Sequence, residues 1–406
     1  MGYTFFEKTI SNKLGRKVHA GDTVVVDVDV AMATDTTAPL AIKAFRDMGG
    51  SKIAKPENTV LVLDHAVPCP NERIANLHKM IRDFSIEQGN VFYDQNAGVC
   101  HQVMLENEHV QEGFIVLGAD SHTCSCGAIG ALGISVGSTD LGAALLTGKT
   151  WWRVPETIQI KLKGKLNKGV YAKDVALHII SDLTSQGATG FGIEFDGEGF
   201  AAFSTEEAMT ICSMATEMGA VSGVFVPAIS NSDLIPDSDA KYQRTIVYDA
   251  SEIVPMISNP HAVDNVKPVN EVEGKRVDMA YLGGCTNARL SDIAVAAKIL
   301  RDQEVARCTR MIVCPASANV LKKAIEKGFI TDLIEAGATL TAPGCGLCVG
   351  TLGGIPGDGE VVVSTTNRNY RGRMGNNKAS IYLASPATVA ASALYGRILD
   401  PRKVVQ

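Results

Sequence analysis

Two hydrophobic spacings take turns along the chain, one with the period of a strand and one with the period of a helix. Residues 24–30 set β-branched valines against Asp27 and Asp29 and predict a strand. Pro39, at a favoured first-turn position, opens a helical run over 40–48. Residues 59–63 read as a short apolar strand ending at Asp64-His65, and a helix follows from Pro70 to about residue 88. Residues 114–117 read as a buried strand ending at Gly118-Ala119-Asp120-Ser121-His122, ahead of a glycine-rich stretch and a helix over 139–149. In both places polar residues sit just past the C-terminal end of an apolar strand, the edge at which open α/β sheets bind ligands.

The pattern then shifts. Residues 157–162 predict an alternating strand, and 172–186 a helix. A helix over 205–219 is announced by Ser204 with Glu207 three positions on, a capping box. After polar, proline-containing segments at 227–243 and 258–270, βα alternation returns: strand 277–282, helix 291–301, strand 311–313, helix 316–327, strand 360–364, and a Pro386-started helix to residue 395. Repeated β-then-α order implies three-layer α/β architecture. A chain of 406 residues exceeds one hydrophobic core, so domains are expected over 1–155, 156–266 and 267–406.

Composition narrows the function classes. Hydrophobic residues make up 46% and charged residues 20%, an ordinary globular balance. A net charge of −6 argues against nucleic acid as a partner. No run reaches the ~18 apolar residues of a membrane span, and the N-terminus has no apolar signal region. The ten cysteines therefore read as reduced thiols or metal ligands in a cytoplasmic protein, not as a disulfide framework.

Three of those cysteines share a setting. Cys345 and Cys348 lie in Pro343-Gly344-Cys345-Gly346-Leu347-Cys348-Val349-Gly350, and Cys285 lies in Gly283-Gly284-Cys285-Thr286-Asn287. Glycine permits close main-chain approach, and successive N–H groups can face an anionic sulfur. Three thiolates from two loops suggest a metal centre with one position left for chemistry. Structural zinc completed by another cysteine or a histidine is the alternative, and Cys124-Ser125-Cys126 is a rival ligand pair. Histidines beside carboxylates supply candidate acid–base groups: Asp64-His65, Cys100-His101-Gln102 and Asp120-Ser121-His122. The three arginines of the 366–373 segment, Arg368, Arg371 and Arg373, lie just past strand 360–364 and suit bidentate recognition of a carboxylate. Ser213 and Glu217, four apart, are expected on one helix face.

Together these motifs resemble the aconitase superfamily, and within it the large subunits of 3-isopropylmalate dehydratase and the homoaconitase-type hydro-lyases. The resemblance runs from Val30-Ala31-Met32-Ala33-Thr34-Asp35 through Asp64-His65, Cys100-His101-Gln102, Asp120-Ser121-His122, the Cys212–Gly219 stretch and the cysteine loops to the 367–373 segment. It implies three similar α/β/α domains around a central cleft holding one [4Fe–4S] cluster per subunit on Cys285, Cys345 and Cys348. It implies acid–base pairs Asp64–His65, His101–Glu217 and Asp120–His122, with Thr34 and Ser121 lining the site. Asn367, Arg368 and Arg373 would hold the cluster surroundings and substrate carboxylates. The implied reaction is reversible dehydration of a hydroxy di- or tricarboxylic acid. 3-Isopropylmalate comes first, with 2,3-dimethylmalate, citraconate/methylmalate and homoaconitate behind it. Ser213 stands where the family usually has Asn. Nothing before Gln406 corresponds to the family's swivelling domain, which implies a separate small subunit. Readings from other classes are a cluster-sensing RNA-binding protein and a structural zinc protein.

Overall fold

The computed structural model describes residues 2–405. Its organisation follows from three sheets that repeat one strand order. In the first, five parallel strands lie in the order Val91–Tyr93, Thr59–Val62, Val30–Thr34, Ile115–Gly118, Leu132–Ser135. Numbered along the chain this is 3-2-1-4-5. The middle sheet runs Ser222–Phe225, Gly192–Asp196, Thr157–Lys163, Arg244–Asp249, all parallel, which is 3-2-1-4. In the last sheet the parallel strands Ser380–Ala384, Val361–Ser364, Met279–Leu282, Arg310–Val313 and Thr339–Leu340 again give 5-4-1-2-3.

This order fixes where a site can form. Successive crossovers run outward from the first strand and then restart on its other side, so a crevice opens beside the first strand at the carboxyl edge. In the first sheet the crevice lies between the ends of Val30–Thr34 and Ile115–Gly118. In the last it lies between the ends of Met279–Leu282 and Val361–Ser364. Nearly every strand residue beside these crevices is buried, with helices covering the faces, as parallel sheets require.

Several predicted elements differ in the structure. The run at 24–30 is two strands: Thr23–Asp27 pairs antiparallel with Lys149–Arg153 in a separate ribbon, and Val30–Thr34 enters the first sheet. Between them Asp29 turns its carboxylate to the Ile115 N–H at 2.7 Å and to Lys13. The helix expected from Pro70 starts at Glu72, because the Asn71 side chain accepts from the Ile74 N–H and sets the cap there. The 205–219 helix ends at Ser213, and a separate 3₁₀ turn carries Thr216–Met218. Ser213 and Glu217 therefore share no helix face, and the Ser213 hydroxyl bonds back to the Thr210 carbonyl at 3.0 Å. Strands Met256–Ser258 and Val266–Pro268 join the last sheet antiparallel, upstream of and across the division expected at 267. The N-terminal helix Phe5–Leu14, closed by a Thr4–Glu7 capping box, went unread in the sequence.

The turn after His122 reaches the middle sheet through one close approach. A Cβ on Gly127 would lie 1.9 Å from the Gly223 carbonyl oxygen. Gly127→Ala should therefore force backbone displacement costing about 1–3 kcal/mol, read as a lower urea midpoint, whereas Gly353→Ala would meet no neighbour within 4 Å.

Candidate active site

The carboxyl edges of the first and last sheets face each other across a cavity of about 280 Å³. Loops from the first sheet bring Thr36, Asp64, His65, His101, Asp120, Ser121 and His122 to its wall. Loops from the last bring Cys285, Cys345, Cys348, Thr351, Arg368 and Arg373. Among the hydrogen bonds that lock the two sides together, two lie at the cavity wall. The Cys345 N–H donates to the Asp64 carbonyl at 2.7 Å, and the Thr351 hydroxyl donates to the His65 carbonyl at 2.7 Å. Gly344, at φ +155°, makes this possible, since a Cβ there would stand 2.7 Å from the same Asp64 oxygen.

The histidine–carboxylate pairs are three, but two of them exchange hydrogen-bond partners relative to expectation. Asp64 Oδ1 holds His65 Nδ1 at 2.6 Å, as expected. His101 Nε2 pairs with Asp120 Oδ1 at 2.9 Å, not with Glu217. His122 Nε2 pairs with Glu217 Oε1 at 2.8 Å, not with Asp120. The cause is local. Asp120 Oδ1 accepts the His122 backbone N–H at 2.8 Å, which closes the turn and leaves His122 Nδ1 3.7 Å from the same oxygen while Nε2 reaches Glu217. Asp120 becomes a hub, its other oxygen 3.8 Å from His65 Nε2. Burial alone would push its carboxyl up, but His101, His122 and His65 together hold it well below the usual carboxylate range.

Asp35 organises His65 from behind. Its carboxylate accepts the N–H groups of Asp64, His65 and Ala66 at 3.3, 2.9 and 2.8 Å and meets His78 Nε2 at 3.2 Å. Burial would raise its carboxyl, yet His78, His65 and these N–H bonds hold it at about 2. For His65, burial would lower the imidazole, but Asp64 first, then Asp120 and Asp35, lift it to about 10.

Of the remaining predicted residues, Glu217 is nearly buried and bound by Arg368 Nε at 2.9 and 3.0 Å. Burial would raise its carboxyl, but His122 and Arg368 hold it down. Ser121 lines the cavity. Thr34 does not: its hydroxyl is fully buried and bonded to those of Thr36 and Thr37 at 2.9 and 3.3 Å, leaving Thr36 at the wall. Asn367 is buried beneath Cys285, whose thiol donates to Asn367 Oδ1 at 3.4 Å, while Asn367 Nδ2 has no partner. Arg373 donates from Nη2 to Cys348 Sγ at 3.3 Å.

Sequence reasoning missed Arg289. It is the largest fully buried side chain and donates to the Cys285 carbonyl at 2.6 Å, the Thr286 carbonyl at 2.5 Å and Gln102 Oε1 at 3.1 Å. It thereby ties the Cys285 loop to the helix Cys100–Glu106 that carries His101. The only sequence signal is its position four residues after a loop cysteine, ahead of the helix Leu290–Leu300.

The donor set fits a sulfur-rich anionic group. Three soft thiols face a guanidinium and an unpartnered amide nitrogen that can donate to sulfur. The Cys345 thiol, donating to Cys348, and Arg373 beside it hold the Cys348 thiol well below its ordinary range against burial. A single tetrahedral zinc, at about 2.3 Å from each sulfur, would need sulfurs about 3.8 Å apart. Among the described residues the three cysteines do not form a set with all ligand atoms within 4.8 Å, whereas Cys100, His101 and Asp120 do. Cys124 and Cys126 lie buried outside the cavity lining, their thiols pushed up to about 12 by burial, and the Cys124 thiol donates to the Ser213 carbonyl.

Fold and site together define an α/β enzyme that brings three loop thiols and three histidine–carboxylate pairs together in one cleft. The chain belongs to the aconitase family: the family model described as aconitase family (aconitate hydratase) matches residues 7–233 and 228–396. It is 43% identical over 415 residues to the 3-isopropylmalate dehydratase large subunit 1 of Methanopyrus kandleri, covering 99% of both chains. It is 44% identical over 416 residues to large subunit 2 of Archaeoglobus fulgidus, covering 99% of this chain and 100% of that one. With large subunit 1 of Thermotoga maritima it shares 44% over 420 residues and the full length of both.

The raised His65 value has a sign that can be checked. Because it lies above the ordinary 6.5, the Asp64–His65 contribution to stability is complete below about pH 6.5 and is lost as pH rises through about 10. In an NMR titration the His65 imidazole should stay protonated past about pH 8. Asp64→Asn, which still accepts the Cys100 N–H now bound to Asp64 Oδ2 at 2.7 Å, should bring its deprotonation below that point.

Proposed function

We propose that this chain is the large, catalytic subunit of an iron–sulfur hydro-lyase that reversibly dehydrates 3-isopropylmalate. What carries the reading is the meeting of three loop thiols, two arginines and three histidine–carboxylate pairs in one cavity. The substrate follows the printed names of full-length relatives at 43–44% identity. The chain is taken as three units, one per sheet, with the second division before Met256 rather than at 267.

Cys285, Cys345 and Cys348 would hold a [4Fe–4S] cluster, one per subunit, with Asn367 and Arg373 donating to its sulfurs. Bound there, a cluster with one iron free of thiolate supplies a Lewis acid for departure of hydroxide. The protein's own part is orientation and proton transfer. Arg368 is anchored through Nε on Glu217, and among the described residues its terminal nitrogens make no hydrogen bond, which frees them for a substrate carboxylate. His65, held protonated by Asp64, is the acid that delivers a proton from Nε2 to the leaving hydroxyl. The His101–Asp120 and His122–Glu217 pairs fix the polar wall, with Ser121 beside them.

The group that removes the carbon-bound proton is assigned to a separate small subunit. The relatives are named large subunits, and His65, the imidazole that the proposal places nearest the reacting hydroxyl, is already charged. Ten free cysteines suit a reducing cytoplasm, and no helix among the described residues is long and apolar enough to cross a membrane.

Anaerobically purified protein should be brown, with iron and sulfide in equal amounts. Cys345→Ser should abolish the colour and Cys69→Ser should retain it; a colourless, zinc-loaded wild type would refute the cluster. The reconstituted chain alone should turn over 3-isopropylmalate poorly and gain activity on addition of a small subunit. Full activity without a second polypeptide, or preference for another hydroxy acid in a screen, would overturn those parts of the reading.

A further inference from the structure

The helix Ala172–Leu183 hides an amine that the proposed chemistry does not use. Lys173 is fully buried in its first turn. Nζ donates to the carbonyls of Thr365 at 3.1 Å and Thr366 at 2.8 Å, with Met214 Sδ at 3.7 Å. Among the described residues no carboxylate comes within 4.0 Å of it. Its neighbour Asp174 turns away and accepts the N–H groups of Tyr171 and Met256. A helix's first turn is also the wrong end of the macrodipole for a cation.

An unpaired buried ammonium is costly, and burial pulls this one down to about 8. The negative charges that offset the effect are, in order, those of Cys285, Glu217, Cys348 and Asp292. Glu217 already meets Arg368 and His122, and Asp292 already meets Arg289 and Asn287. Cys348 already meets Arg373, which leaves Cys285, the largest of the four, as the anion without a guanidinium on its sulfur once it is ionised on a metal centre. Thr365 and Thr366 lead directly into Asn367 and Arg368, which touch Cys285 and Glu217.

We infer that Lys173 is a positioning residue and fixed counter-charge for the thiolate-held cluster, clamping the loop of Asn367 and Arg368 and finding its compensating charge only when the ligand thiolates are ionised. This rests on the cluster reading proposed above. It separates Lys173 from an ordinary structural clamp, because a clamp serves the cluster-loaded and cluster-free protein equally.

The test compares wild type with Lys173→Met and Lys173→Arg as full chains, each with the cluster reconstituted and after its removal by chelation. Lys173→Met should lower the melting temperature of the loaded form while leaving or raising that of the cluster-free form. Its cluster should show a more negative midpoint potential in an EPR-monitored titration, since loss of a nearby positive charge favours the oxidised state, and Lys173→Arg should restore it. Equal destabilisation of both forms with an unchanged potential overturns the inference, as does a Lys173→Met chain that cannot fold without the cluster. A wild type that takes up no iron and sulfide refutes the cluster reading itself.

Discussion

The structure depends most on what Asp64 holds. Its Oδ1 fixes His65, its Oδ2 accepts the Cys100 N–H that starts the His101 helix, and its carbonyl accepts the Cys345 N–H. One residue therefore aligns the acid, the neighbouring imidazole and a proposed ligand loop. Each bond is buried, where a lost partner leaves an unsatisfied polar group at about 1–3 kcal/mol. Asp64 also lies at a strand end, where the sheet fixes its backbone before any side chain acts.

Electrostatics then divides the cleft. On the first-sheet side, Asp35, Asp64 and Asp120 surround His65 and keep it charged. On the last-sheet side, Arg373 and Arg368 face thiols and Glu217. In the proposed reaction, a hydroxy dicarboxylate entering between them would meet a proton donor at one end and guanidinium groups at the other. Arg289 sits outside this exchange and holds main-chain carbonyls, so the Cys285 loop keeps its shape as charge in the cavity changes.

Much of this was legible because parallel sheets place their chemistry just past apolar strands. Asp64-His65 and Asp120-Ser121-His122 could be read that way, and the glycine-flanked cysteines stood out in their own loops. The pairing was not legible. Asp120 and His122 are near neighbours in sequence, yet the turn uses the carboxylate on the backbone and sends His122 to Glu217. Thr34 lost its place to Thr36 because the strand end tucks it under its own turn. Lys173 and Arg289 look like solvated cations in a sequence. Only the packing of a second sheet against them shows them buried. The repeated 3-2-1-4 order had no sequence signal, since strand order is set by crossovers rather than by composition.

The distribution of the site along the chain has a consequence for how the protein is made. Residues of the acid–base wall are synthesised first, and the last thiol, Cys348, emerges only when most of the chain already exists. The Cys345 N–H can reach the Asp64 carbonyl only after the first and last sheets have docked. A metal centre on these thiols, as proposed, would therefore mature late, after docking, since the nascent chain offers its imidazoles before its thiol cradle.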